Sequence, residues 1–274
     1  MSRVRASDGL LLYAEAHGEG VPVVFSCGFA TTCENFRPQV APLAAAGARV
    51  VLWDYRGHGR SGVPDDPASY TIEQVVDDLG RVLDWAAPGR RAVLGGLSLG
   101  GLVSLHFALA HPRRVRGLLL LDSGPGFKNP EAAARWQAQV ERTAALLETR
   151  GMGVLLRGPA AATAIGRRPE LPAARAAAEA IAAQDPRAVA EFGRRVAGPA
   201  PPVIDDLARI EAPALVLVGE EDEAYRRAAD VMAARLPKAS KVVLPGAGHI
   251  GNIEEAEAFN AAVVRFLGEL GEAA

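Results

Sequence analysis

Short apolar runs alternate along this chain with segments whose apolar residues recur every three to four positions. Val21 to Ser26 and Val115 to Leu121 are apolar without alternation, as strands covered on both faces tend to be. Arg49 to Trp53, Ala92 to Leu94, Ala214 to Val218 and Lys241 to Leu244 read as further strands. Between Thr71 and Ala86, residues Ile72, Val75, Val76, Leu79, Val82 and Leu83 keep helical step, and Thr71 stands where a capping oxygen is needed. Helices are also predicted over Glu34–Ala46, Leu102–Ala110, Tyr225–Leu236 and Glu254–Leu267. At the start, Arg3–Ala6 and Leu10–Ala16 flank Ser7-Asp8-Gly9, a hairpin signal that predicts an antiparallel edge. Strand alternating with helix predicts an α/β fold: a mostly parallel open sheet with helices on both faces.

The alternation stops at Phe127 and resumes only after Ala208. In that interval alanine- and arginine-rich helical segments are broken by Gly151, Gly153, Gly158-Pro159 and Arg168-Pro169. Glycine- and proline-rich exits, Ser123 to Gly126 and Gly198 to Pro202, bound it. The expected organisation is one core domain, residues 1–123 and 209–274, with a helical insertion over 124–208.

Composition narrows the function classes. With 30 basic and 32 acidic residues the net charge is −2, so no global basic field favours nucleic acid or an anionic membrane. No run approaches the roughly 18 apolar residues of a membrane span, and Met1 to Arg5 lead into a polar strand rather than an apolar signal core; a soluble cytoplasmic protein, monomer or homodimer, is expected. Cys27 and Cys33 have no second pair to build a zinc site or disulfide framework, so reduced thiols are expected. Nothing calls for a metal or organic cofactor. No G-x-G-x-x-G follows Ser26, and no glycine-rich loop ends in Lys followed by Ser or Thr, which leaves nucleotide binding unsupported.

The chemistry centres on Leu94-Gly95-Gly96-Leu97-Ser98-Leu99-Gly100-Gly101, a G-x-S-x-G turn from strand to helix. Gly96 and Gly100 leave room for a tight turn that lifts the Ser98 hydroxyl clear, and the following helix aims its amides at the same spot. A serine hydroxyl needs a base. His17 lies in the hairpin region, His106 about 12 Å along the helix after Ser98 and His111 at that helix's end. His58, in the loop after Trp53, competes with His249, which follows the last strand in Pro245-Gly246-Ala247-Gly248. Ligands in such sheets bind beyond the carboxyl ends of the strands, where both loops lie. Asp222 is the preferred acid to orient His249, with adjacent Glu221 and Asp122 as alternatives. Backbone amides of Phe29 and Leu99 are the expected oxyanion donors.

Five motifs in order resemble the α/β-hydrolase fold superfamily over nearly the whole chain. These are Cys27-Gly28-Phe29, Asp54-Tyr55-Arg56-Gly57-His58-Gly59-Arg60-Ser61, the Ser98 elbow, Gly219-Glu220-Glu221-Asp222 and Gly246-Ala247-Gly248-His249. The resemblance implies an eight-stranded sheet, a helical cap over the active site and a triad of Ser98, Asp222 and His249. It departs from the pattern at Cys27, where members commonly carry histidine. Serine at the elbow sets the chain apart from the epoxide hydrolase and haloalkane dehalogenase branches, which use aspartate, and the likeness is closest to carboxylesterases and enol-lactone hydrolases. Carbon–carbon bond hydrolases are near relatives, but Ile250-Gly251-Asn252 follows the histidine where many of them have tryptophan. Acyl transfer from a small ester or lactone to water is therefore expected. A small-molecule receptor on the same fold is the contrasting reading, and the full Ser98, Asp222 and His249 set disfavours it. Phe29, Phe127 and Trp136 are candidate substrate-binding residues, with Leu155 and Leu156 as possible acyl-pocket walls. Between Ser123 and Ile210 stand eleven arginines and one lysine against nine acids, which raises the idea of an arginine fork for a substrate carboxylate.

Overall fold

A computed structural model describes residues 2–272. Eight strands, β1 (Ser2–Arg5), β2 (Leu11–His17), β3 (Val21–Ser26), β4 (Ala48–Trp53), β5 (Ala92–Leu97), β6 (Val115–Leu121), β7 (Ala214–Gly219) and β8 (Ala239–Leu244), form one sheet in the order β1-β2-β4-β3-β5-β6-β7-β8. The hairpin edge is antiparallel, with Arg5 opposite Leu11 and Ala14 opposite Trp53, and every pairing from β4 through β8 is parallel.

Side-chain period two divides the apolar runs between the two faces of the sheet. Val24, Leu94, Leu118, Leu120 and Val216 pack with α2 (Ile72–Ala86) and α3 (Leu99–Ala110). Val23, Phe25, Val93, Leu119 and Leu215 pack on the other face with α1 (Arg37–Ala45) and α10 (Ala256–Glu272). Thr71 caps α2 as its position implies, accepting from the Gln74 amide at 3.1 Å. Arg56 is fully buried and meets Asp78 of α2 through two 2.7 Å hydrogen bonds, which pins the loop after β4 to that helix.

Several helix boundaries depart from expectation. Cys33–Phe36 forms a separate 3-10 turn capped by Thr32, and α1 begins only at Arg37, where Pro38 fits the first turn without needing a donor. The terminal helix is interrupted at Glu255, which leaves the helical region at φ −127° and ψ 52° and separates the short α9 (Gly251–Glu254) from α10; Gly268, a plausible stop, is carried inside α10. On the far side of β7, α8 (Glu223–Arg235) starts two residues earlier than the apolar pattern suggests and puts Tyr225 in its first turn.

Between β6 and β7 the described chain is helical: α4 (Pro130–Arg150), α5 (Pro159–Ala164), α6 (Pro172–Ala182), α7 (Pro186–Phe192) and a π-helical turn over Gly193–Ala197. Asn129 and Asp185 cap α4 and α7 through their side-chain oxygens. This segment lies over the carboxyl ends of the strands. Gln184 joins the two parts, donating to the Ala30 carbonyl and accepting from the Gly59 amide, both at 3.0 Å.

Candidate active site

Ser98 stands between β5 and α3 with φ +53° and ψ −113°, a region that costs a non-glycine residue strain and is held by its surroundings. Its amide donates to the Leu121 carbonyl at 2.9 Å, and Ser123 Oγ donates to its carbonyl at 2.6 Å. The flanking glycines are required by close backbone approach: a Cβ on Gly96 would lie 2.0 Å from the Gly100 carbonyl carbon, and one on Gly100 would lie 2.1 Å from the Ser26 carbonyl oxygen.

Two loops beyond β7 and β8 bring an acid and a histidine to the same edge. Asp222 Oδ2 lies 2.7 Å from His249 Nδ1, and both side chains are buried. The loops are tied together by their backbones, with the Glu221 amide donating to the Ala247 carbonyl at 2.9 Å. Glu254 fixes the histidine loop from behind, its Oε2 accepting from the Gly248 amide at 2.9 Å and its Oε1 from the Arg167 amide at 3.2 Å. Neither role was visible in the sequence, where Glu254 reads only as a helix start.

The alternative carboxylates sit differently. Glu221 points outward to Arg167. Asp122 ends β6 with φ +42° and is fully buried; its Oδ1 accepts from the Gly219 amide at 2.8 Å, while its Oδ2 has no partner among the described residues. Burial, with the charge of Asp222 adding to it, pushes the Asp122 carboxyl well above the ordinary carboxylate range and favours its neutral form. Donor atoms of Asp122, Asp222 and His249 lie within 4.8 Å of one another, a spacing a metal ion could bridge, but the 2.7 Å contact within the set is a hydrogen bond.

His58 occupies a separate position. Its Nε2 accepts from the Ala30 amide and its Nδ1 faces the Arg56 carbonyl, each at 3.3 Å, so the ring is neutral with the proton on Nδ1. Burial against Tyr55 and Phe192 lowers its pKa to about 4. It therefore braces the loop after β3. His106 bonds the Pro201 carbonyl and His111 packs on Phe107, both away from Ser98.

The Ser98 hydroxyl is bonded to Tyr225, whose phenolic oxygen lies 3.3 Å from Oγ. Among the described residues no hydrogen bond joins Ser98 to His249. Tyr225 touches both: its ring stands 4.8 Å from the His249 ring, tilted by 35°. Sequence reasoning passed over this tyrosine. The available signal was its place three residues after Asp222, one helical turn into a helix that starts at the rim.

The amides of Phe29 and Leu99 have no acceptor among the described residues, while the neighbouring Ala30 (φ +61°) and Thr31 amides are engaged by His58 and Gly28. Cys27 is buried, and its carbonyl accepts from the Tyr55 hydroxyl at 2.9 Å.

A cavity of about 300 Å³ opens over Ser98. Phe29, Leu99 and Leu102 from the core, Phe127, Trp136 and Ala197 from the helical segment, and Tyr225 form much of its wall. All three candidate substrate-binding aromatics thus border it, and Trp136 is fixed by donating Nε1–H to the Ala197 carbonyl at 2.7 Å. Leu155 and Leu156 pack against the other face's cluster instead. Among the described residues no charged side chain lines the cavity. Arg167, Arg168, Arg194 and Arg195 are paired with Glu221, Glu255, Glu141 and Glu191, and among the described residues no arginine lines the cavity.

Residues 21–256 match the model of the α/β hydrolase fold family, and the chain belongs to that family. As an enzyme it is a hydrolase. A Caulobacter (strain K31) protein provisionally named carbamate hydrolase RutD is 30% identical, covering 96% of this chain and 97% of the relative. RutD relatives from Azorhizobium caulinodans and Variovorax paradoxus are 40% identical, but the chain spans only about two fifths of their length. Among solved structures, a thermophilic esterase from Thermogutta terrifontis superposes with a TM-score of 0.84 at 28% identity, covering 98% of each chain. The enol-lactonase of Burkholderia xenovorans LB400 gives 0.81 at 28% identity, covering 97% of this chain and 100% of its own.

Proposed function

We propose that this hydrolase cleaves a small, uncharged carboxylic ester or lactone through an acyl-serine intermediate, with Ser98 as nucleophile, His249 as base and Asp222 as the acid that orients it. The observation that carries the reading is the 2.7 Å Asp222–His249 hydrogen bond beside a strained serine that opens into an apolar cavity. Rotation of Ser98 about χ1 frees Oγ from Tyr225 and turns it toward His249; catalytic hydrogen bonds commonly tighten only when substrate binds. His249 Nε2 takes the hydroxyl proton as Oγ bonds to the acyl carbon. The negative charge on the carbonyl oxygen is met by the unengaged amides of Phe29 and Leu99, and the imidazolium by Asp222. Nε2 then delivers the proton to the leaving oxygen as its bond to carbon breaks, and water repeats the sequence to release the acid.

The cavity supports the substrate class. A charged group among Phe29, Leu102, Phe127 and Trp136 would lose hydration with no counter-ion in return. Relatives named for an esterase and an enol-lactonase act on the same bond type, and carbamate cleavage, named for the Caulobacter relative, differs only in the atom beside the carbonyl. The helical segment 124–208 acts as a lid in this reading, because it supplies one side of the cavity.

The test is covalent labelling. A fluorophosphonate should modify Ser98 stoichiometrically, identified by peptide mass, and short p-nitrophenyl esters should be turned over. Ser98→Ala should lose both. Unlabelled Ser98 together with no ester turnover would reject the reading in favour of a receptor on this fold.

A further inference from the structure

Apart from Ser98, Tyr225 brings the only hydroxyl to the wall of the cavity among the described residues. Its position is set by the same turn that sets the acid. The Tyr225 amide donates to the Asp222 carbonyl at 3.1 Å, and the ring then runs from that turn across the face of His249 to within 3.3 Å of Ser98 Oγ. Enclosure, and the nearby Asp222 carboxylate, push the phenol above its ordinary range, so it remains protonated and able to donate at neutral pH.

When Oγ has attacked, the tetrahedral carbon carries Oγ, the oxyanion, the acyl substituent and the leaving oxygen. The amides of Phe29 and Leu99 face the oxyanion in the reading above, and His249 must reach the leaving oxygen to protonate it. A tyrosine whose hydroxyl touches Oγ and whose ring lies against the His249 ring stands on that same side. We infer that Tyr225 is a further catalytic residue of this enzyme, which rests on the serine-hydrolase reading: its phenol holds Ser98 between turnovers and donates a hydrogen bond to the leaving oxygen as the carbon–oxygen bond breaks. No proton leaves the phenol. The proton that ends on the alcohol is the one His249 took from Ser98, and the bond electrons go to the leaving oxygen.

Such a donor matters in proportion to the charge that the leaving oxygen develops. An alkoxide or an aliphatic lactone oxygen needs it, whereas p-nitrophenoxide disperses its charge into the ring. Tyr225→Phe keeps the ring against His249 and removes only the hydroxyl. With one acyl group throughout, the variant should lose about 10- to 100-fold in kcat/KM on an ethyl ester, the range of one hydrogen bond to a charged oxygen, and about 3-fold or less on the p-nitrophenyl ester. Fluorophosphonate labelling of the variant should persist and shows that Ser98 and His249 remain competent. Equal losses on the two esters, or no loss on either, would overturn the assignment. Failure of the wild-type protein itself to be labelled and to turn over either ester would reject the serine-hydrolase reading and this assignment with it.

Discussion

Asp222 Oδ2 lies 2.7 Å from His249 Nδ1, while Asp122 at the end of the adjacent strand directs Oδ1 to the Gly219 amide and leaves Oδ2 unpartnered. The two carboxyls look alike from the sequence and differ in what they face. Asp222→Asn should lower kcat by about 10³- to 10⁴-fold, through the wrong imidazole tautomer and lost stabilisation of its cation. Asp122→Asn should stay within about tenfold of wild type, because an amide is uncharged like the neutral carboxyl and keeps an oxygen to accept from Gly219. Steady-state hydrolysis of one ester by both variants checks the pair, and a reversal of the two effects would move the acid to Asp122.

His58 predicts a pH dependence of stability. Its pKa falls from 6.5 to about 4 on burial, so below pH 6.5 the unfolded chain binds a proton that the folded one does not. Stability from this neutral ring is complete above pH 6.5 and is lost as pH falls toward 4, by about 3 kcal/mol at 1.36 kcal/mol per pH unit. In His58→Gln, which cannot titrate, the stability gap to wild type should narrow by that amount between pH 7 and pH 4. Urea unfolding at several pH values measures it; a constant gap would mean the ring titrates alike in the folded and unfolded chain.

Two glycines should respond in opposite directions to alanine. At Gly100 the added Cβ meets carbonyl oxygens of Ser26 at 2.1 Å and Cys27 at 2.8 Å, and backbone cannot step aside cheaply. Gly100→Ala should cost at least about 3 kcal/mol. Gly268 lies inside α10 with nothing within 4 Å of its missing Cβ, so Gly268→Ala should add about 0.5–1 kcal/mol. Denaturant midpoints at constant m-value separate the two.

Trp136 forms part of the cavity wall and is held by its bond to the Ala197 carbonyl. Trp136→Ala should enlarge the cavity and shift preference among p-nitrophenyl acetate, butyrate and hexanoate about tenfold toward the longer chains, the effect of a methylene or more in an apolar pocket. An unchanged ratio of kcat/KM values would place the acyl group elsewhere.

The parallel sheet was legible because apolar runs of strand length, separated by helices in step with 3.6, leave few ways to pair. The elbow was legible for a local reason: serine between two glycines at a strand end describes its own backbone. Helix ends were read less well. Pro38, Glu255 and Gly268 each carry a signal that neighbours can outweigh, and Gly268 continues a helix whose Phe259, Val263 and Phe266 are buried against the sheet.

By itself the sequence determined the order of elements, the strained turn at Ser98 and the strand ends at which Asp122, Asp222, His58 and His249 stand, since each depends on residues close along the chain. Only the tertiary structure decided that Asp222 faces His249, that His58 braces the Ala30 amide, that Tyr225 rather than the histidine holds the Ser98 hydroxyl, and that, among the described residues, no arginine lines the cavity. Those outcomes depend on the pairing of β6, β7 and β8 and on how the helical segment seats above them. Such contacts join residues tens to more than a hundred positions apart, and no local pattern encodes which side chains meet.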